Sequence, residues 1–321
     1  MDEAEAIDRL RRIATDPAAR GLADDAALFE GLVITHDSIA EGVHFLSSDP
    51  PTSVGWKLVA VNLSDLAAKG ASPAAALLSL TISNDSDWDS AFIDGVEAAC
   101  ESYGLQLIGG DTIALPAGAP RVLGMTAIGR AGPNTPARSG AKPGDELWLA
   151  GTVGDSAAGL AQLTADPKAA GLLVDTFRRP VPLLTAGKAL AAHANAMMDL
   201  SDGLLIDSRR MAVASGIGVV IDLDSLPLSA AFVAEHSGDR KARLFAATGG
   251  DDYALLAALP GGFDPALSLS LPSGLSFVRI GTFEAAGVPL RLVSGGSPVS
   301  LPETLGHEHR GNFASPMGHR D

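Results

Sequence analysis

The chain has 321 residues, 46% hydrophobic but only 5% aromatic, with a formal net charge of −15. That length suits about two domains, with cores of Ala, Leu, Val and Ile in a folded, soluble protein. The acidity argues against nucleic acid and membrane surfaces as partners, and against a bare polyphosphate unless cations intervene. The opening "MDEAEAIDRLRRIA" reads as an amphipathic helix with Ile7, Leu10 and Ile13 on one side. It lacks the basic start and apolar core of a signal peptide, and no run reaches the ~18 apolar residues of a membrane span. A strand is expected at 32–35, and a helix at 53–69 with Ser53 as its N-cap and Gly70 past its end. Strand 75–82 and helix 87–103 follow. "LQLIGGDT" (105–112) reads as a strand running into a glycine turn, and 122–130 as another strand. The single cysteine, Cys100, excludes an internal disulfide and four-thiolate zinc sites, and points to a reducing, cytoplasmic compartment.

"AGPNTPARSGAKPGD" (131–145) is rich in Gly and Pro, and a domain boundary is expected there. The second half restarts with a strand at 146–151, then helices around 154–164, 169–178 and 183–193. "AMMDLSD" is a strand end feeding a helix from about 203 to 215. Strands are expected at 218–223, 253–259 and 277–283. The fold class is therefore α/β of the α+β type, with two mixed α/β domains.

Several motifs fail on chemistry. "DSDWDS" (85–90) resembles a calcium loop, but Ser90 replaces the glycine and Val96 stands where the bidentate Glu is needed, so N-capping is the better reading. "HRD" ends the chain with nothing after it to hold metal. Neither a phosphate-binding G-x-x-x-x-G-K-[ST] nor a dinucleotide G-x-G-x-x-G is present. His36 and His44 flank Asp37 without a third zinc ligand at suitable spacing. A G-x-S-x-G serine elbow is also missing.

What survives is a set of aspartates at the ends of apolar stretches or in tight turns. They are Asp24 and Asp25, Asp37, Asp65, Asp111, Asp199 and Asp202, and Asp251 and Asp252. Leu-Ser-Asp occurs twice, in "NLSDLAAKG" and "DLSDGLLID". Each acid has a plain alternative: Asp65 and Lys69 could form a surface i,i+4 pair, Asp111 could close a turn, and Asp202 could cap a helix. Together they make a different case. Carboxylates ~4 Å apart repel by roughly 4 kcal/mol at an intermediate dielectric, so a converging set needs protons or cations. All-oxygen ligands favour hard ions, and magnesium bridges carboxylates to phosphates. The glycines of "IGGDT" and "TGGDD" would let backbone N–H groups approach phosphate oxygens.

Seven ordered segments carry a resemblance: "DDAAL", "THDSIAEGVHF", "GWKLVAVNLSDLAAKGASP", "LIGGDT", "RSGAKPGDELWLAG", "DLSDGLLID" and "GGDDYALL". From about residue 20 onward the chain resembles the thiamine-monophosphate kinase family, within the aminoimidazole-ribotide synthetase-like ATP enzymes. The resemblance implies ATP-dependent phosphorylation of thiamine monophosphate to thiamine diphosphate. It also implies a homodimer whose N-terminal domains share a β-barrel. Residues 1–136 would form the ATP/magnesium-binding and dimerisation domain, and 137–321 an α/β domain, a sheet covered by helices, that completes the site. Asp25, Thr35, His36, Asp37, Asp65, Asp111, Asp199 and Asp202 would hold magnesium, Thr35 and His36 through backbone oxygens or waters. Gly110, Asp111, Arg138 and Ser201 would surround ATP, with Asp111 and Arg138 catalytic. His44 and Asp251 would meet the substrate. The family's usual Met is Lys69 here, and its usual Glu is Asp251. At the C-terminus "GHEHRGNF" leaves His307, Arg310 and Phe313 to stack on the thiamine ring, and Phe313 is carried as the substrate contact. Another ATP-dependent synthetase of the superfamily and a non-catalytic divalent-cation binder are the rival readings.

Overall fold

The computed structural model describes residues 3–308 apart from 84, 264–267 and 286. The organising element is α2 (Pro51–Ala68), in which 15 of 18 residues are buried. A helix apolar on every side belongs in an interior, and this one serves two cores. Its expected N-cap at Ser53 is not used. The helix starts at Pro51, whose missing N–H is no loss in a first turn, and no side chain caps it.

The first sheet has the order β1-β2-β5-β3-β4, from β1 (Ala27–Phe29), β2 (Leu32–Ala40), β3 (Ser72–Ile82), β4 (Gln106–Ala114) and β5 (Val122–Arg130). Only β3 and β4 pair in parallel. Among the described residues the sheet is open, with β1 and β4 as its edges. α2 and α3 (Ser86–Tyr103) cover one face, burying Leu58, Leu63, Phe92 and Val96 against Leu123 and Met125 of β5. The two helices touch through glycine: a Cβ on Gly55 would stand 2.2 Å from Phe92 O, and one on Gly95 2.1 Å from Thr52 O. Asp85 caps α3 by accepting from Trp88 N at 3.1 Å, the role expected in place of calcium binding.

"LIGGDT" does not turn. β4 runs through it, and pairing with β3 slips between Ala76–Leu107 and Leu77–Gly109, leaving Ile108 as a bulge. Gly110 has φ +151, and a Cβ there would meet Leu78 O at 1.9 Å. The glycines serve close strand approach rather than chain reversal.

The second sheet has the order β12-β11-β8-β10-β6-β9-β7. Its strands are β6 (Glu146–Ala150), β7 (Ala196–Asp199), β8 (Gly218–Asp222), β9 (Leu255–Leu259), β10 (Phe277–Glu284), β11 (Leu290–Ser294) and β12 (Ser297–Val299). Its helices are α4 (Asp155–Ala165), α5 (Leu172–Arg178), α6 (Leu184–Ala191), α7 (Leu204–Ser215), α8 (Ala230–His236) and α9 (Arg240–Thr248). β11, β12, α8 and α9 have no counterpart among the sequence expectations.

The C-terminal end of α2 leaves the first sheet and packs on α6 and β7. Ala67 and Ala68 share a core with Leu190, Met197 and Leu255. The contact is close enough that a Cβ on Gly187 would lie 2.1 Å from Ala67 O. The second half of "NLSDLAAK" is thereby driven between two sheets, with its polar residues inside.

Candidate active site

A cavity of about 340 Å³ lies at this junction. The first half of the chain contributes Asp25, Asp37 and Asp65, and the second half Asp199, Ser201, Asp202 and Asp251, with Arg138 between. Both Leu-Ser-Asp copies meet here: Ser64 Oγ of the first donates at 2.6 Å to Oδ2 of Asp199, the residue just before the second. Thr35 Oγ1 donates to Asp65 Oδ2.

The electrostatics divide the acids into two groups. Burial pushes the Asp65 carboxyl well above its ordinary value, and Asp37, Asp199 and Asp25 push it further against the Thr35 bond. Burial does the same to Asp199, joined by Asp25 and Asp37 and opposed by Ser64. Asp37 rises to about 6, through burial first, with His36 opposing and Asp25 and Asp202 adding. Asp25 behaves differently. Burial would raise it, yet Lys69 and Arg138 more than offset that and hold it below the usual carboxylate range. Arg138 Nη2 is 2.5 Å from Asp25 Oδ1. Lys69 Nζ is 2.7 Å from Asp25 Oδ2 and 2.5 Å from Asp24 Oδ1.

The donor set suits a hard divalent ion: oxygens alone, mutually repelling and mostly buried. Asp25 Oδ2 is buried, with Lys69 Nζ beside it at 2.7 Å. Among the described residues, no three His, Cys, Asp or Glu side chains already stand together at ion-holding geometry. The acids therefore ring a cavity rather than a closed ion cage.

The expected residues fall into distinct places. Asp25, Asp37, Asp65, Asp199, Asp202, Ser201, Arg138, His44 and Asp251 all line the cavity. Thr35 is buried behind Asp65, which its hydroxyl serves. Alternation along β2 turns the His36 side chain to the opposite, exposed face, where Nδ1 is 2.9 Å from Thr126 Oγ1. Gly110 and Asp111 lie on the exposed edge strand β4 and do not line the cavity. Asp202 does not cap α7; Gly203 holds that position, and Asp202 pairs with Arg210. The surface Asp65–Lys69 pair does not form: both residues are buried, and Lys69 reaches Asp24 and Asp25 instead. Phe313 and Arg310 lie outside the described residues, whereas His307 lines the cavity and donates its N–H to Asp202 O at 2.9 Å.

Sequence reasoning passes over three further groups. Lys57, buried in α2, donates to His44 O at 2.8 Å and to Asp251 Oδ2 at 2.9 Å, 4.0 Å from the Phe177 ring centroid. Tyr253 donates to Asp251 Oδ1 at 2.9 Å. Asp251 itself sits at φ +66, a strained left-handed conformation that these two bonds hold in place. Asp207 accepts from Asp202 N and Gly203 N, fixing the turn that presents Asp202, and burial raises it to about 6. A lysine inside an apolar helical run was the available signal for Lys57. Nothing local marks Asp207.

A larger groove of about 790 Å³, between the 115–121 segment and the end of α4, has less to offer chemically. Its Arg121 pairs with Glu41 at 3.2 Å and stacks on Trp88, and its Asp85 caps α3.

The family model for AIR synthase related protein, N-terminal domain, matches residues 23–131, and that for the C-terminal domain matches 142–288. Fold and cavity thus define an AIR synthase related protein. Thiamine-monophosphate kinase of Escherichia coli (strain K12) is 39% identical, over 97% of this chain and 96% of that protein. The solved structure of AaThiL complexed with AMPPCP and TMP is 30% identical, with a TM-score of 0.81 over 95% of this chain and 97% of that one. Thiamine-monophosphate kinase from Stenotrophomonas maltophilia K279a is 36% identical, with a TM-score of 0.73 over 92% of this chain and 96% of that one. The chain belongs to the thiamine-monophosphate kinase family.

Proposed function

We propose that the protein phosphorylates thiamine monophosphate to thiamine diphosphate with ATP, in thiamine diphosphate biosynthesis. The observation that carries this reading is one cavity receiving acids from both halves of the chain, with an arginine among them. The names of the relatives, and the AMPPCP and TMP held by AaThiL, support it.

The acceptor suits the residues present. A phosphate monoester is largely dianionic near neutral pH, since its second pKa is about 6, so no side chain has to remove a proton. Transfer then depends on in-line positioning and on neutralising charge between two phosphates. Arg138 supplies a fixed positive charge beside Asp25. Magnesium held by Asp25, Asp37, Asp65, Asp199 and Asp202 would neutralise the remaining phosphate charge. Ser201 belongs to the nucleotide end of the cavity. His44 and Asp251, tied together through Lys57, belong to the acceptor end. A cytoplasmic location accords with the ATP requirement.

A homodimer that joins the N-terminal sheets into a shared barrel would cover the open edge at β4, where Leu107, Ile108 and Ile113 are exposed. Gly110 and Asp111 would then take up their nucleotide role in the assembled dimer. A boundary between residues 136 and 137 falls in the stretch separating the two family-model matches.

The test is a coupled ADP-release assay with and without thiamine monophosphate, with mass detection of the product. ADP should appear only with the acceptor, alongside a product heavier by one phosphoryl group. Free phosphate released from ATP without acceptor would overturn the reading.

A further inference from the structure

The stretch 177–180, where α5 ends, belongs to the second half of the chain, yet each of its residues engages the first. Arg178 Nε donates to the buried Asp49 at 2.7 Å, and Asp49 also accepts from Leu46 N at 2.7 Å, which fixes the turn after His44. The Arg179 guanidinium stacks on Trp56, 4.3 Å from the ring centroid, and Trp56 Nε1 donates to Pro180 O at 3.0 Å. Phe177 presents its ring to the Lys57 ammonium at 4.0 Å.

The last of these contacts leads to the cavity. Lys57 stands behind the cavity wall with its side chain only 2% exposed, and a buried ammonium is costly unless it is paired. Its partners come from both halves: His44 O at 2.8 Å and Asp251 Oδ2 at 2.9 Å. The other holds on Asp251 lie within its own half. Its N–H donates to Ser201 O at 2.8 Å, and Tyr253 Oη donates to its Oδ1 at 2.9 Å. Lys57 is thus the link through which α2 sets where the Asp251 carboxylate stands relative to His44.

We propose that Lys57 is the positioning residue of the acceptor end. From behind the wall it fixes Asp251 of one half against the His44 turn of the other, so that both meet thiamine monophosphate in one geometry. Its side chain bonds neither Arg138 nor Ser201, so its effect falls on the acceptor and not on the nucleotide. This rests on the reading of the cavity as a thiamine-monophosphate site and adds to it a residue that acts from outside.

Steady-state kinetics with each substrate varied in turn test this. Lys57→Met should raise KM for thiamine monophosphate about tenfold or more, because a charge-assisted bond that orders the carboxylate is lost. KM for magnesium-ATP should stay within about twofold. Asp251→Asn should behave alike, and the double variant should be no worse than the worse single one, because Lys57 acts through Asp251. Trp56→Phe removes the neighbouring bond to Pro180 O, and both its KM values should match wild type. An acceptor KM within about twofold of wild type in Lys57→Met would overturn the proposal, as would an equal rise in both KM values. So would multiplied effects in the double variant, or a rise in Trp56→Phe as large as in Lys57→Met. If Lys57→Met does not fold with Asp251 left unpaired, the double variant, which buries no lone charge there, is compared with Asp251→Asn: an equal acceptor KM supports the proposal and a further rise overturns it. Wild-type protein that releases ADP without needing thiamine monophosphate would instead overturn the function reading, and this inference with it.

Discussion

Replacing Asp37 with Asn should stabilise the metal-free protein, and the gain should grow with pH. Asp37 titrates near 6 in the folded chain against 3.8 for the free side chain, a gap of about two units. Each unit corresponds to about 1.4 kcal/mol. The folded state holds this proton more tightly than the unfolded chain does. The stability that goes with the protonated form is complete below about pH 4 and is lost as pH rises through 6. Wild type therefore carries a penalty of about 3 kcal/mol at pH 8 and about half that at pH 5. Asn cannot ionise and escapes the penalty. The fold does not depend on the carboxylate for register, since it is the backbone N–H of Asp37 that donates to Asn62 Oδ1, at 3.0 Å. Urea unfolding of both proteins in EDTA at pH 5 and pH 8 measures the difference. Equal gains at the two pH values, or a variant less stable than wild type at pH 8, would refute the reasoning.

Gly55→Ala should lower stability by about 1–3 kcal/mol or more, because its Cβ would stand 2.2 Å from a backbone oxygen of α3 that cannot swing aside; an unchanged melting temperature would contradict the close helix contact. Asp111→Asn lies on an exposed strand edge, so its melting temperature should match wild type while turnover falls sharply and the magnesium requirement rises. Near-normal activity at ordinary magnesium would remove Asp111 from the site.

Strand and helix periodicity made most elements readable, because each is set by neighbours two to four residues apart. β5 runs over 122–130 as expected, and α3 differs by one residue from its expected start. The misses have local causes. "IGGDT" carries turn-forming residues, but pairing with β3 overrides that preference and uses the glycines for approach. Ser53 is a good cap residue, but Pro51 begins the helix a turn earlier.

The pattern of acids interrupting apolar stretches was legible in the sequence, because a carboxylate in apolar surroundings is costly and needs a reason. So was the family, carried by ordered segments along most of the chain. Which acids are compensated was not. Lys69 is four residues from Asp65, and helical spacing alone pairs the two on a surface; the packing of α2 between two sheets turns the lysine inward to Asp24 and Asp25 instead. Nor does spacing reveal that Ser64 of the first Leu-Ser-Asp bonds Asp199, the residue before the second, 135 residues away. One-dimensional spacing determines what each side chain could do and which face of its own element it occupies. Only the junction of the two lobes decides which charges share a low-dielectric space, and there distances of a few ångströms set whether an acid is held by a lysine or left open for an ion.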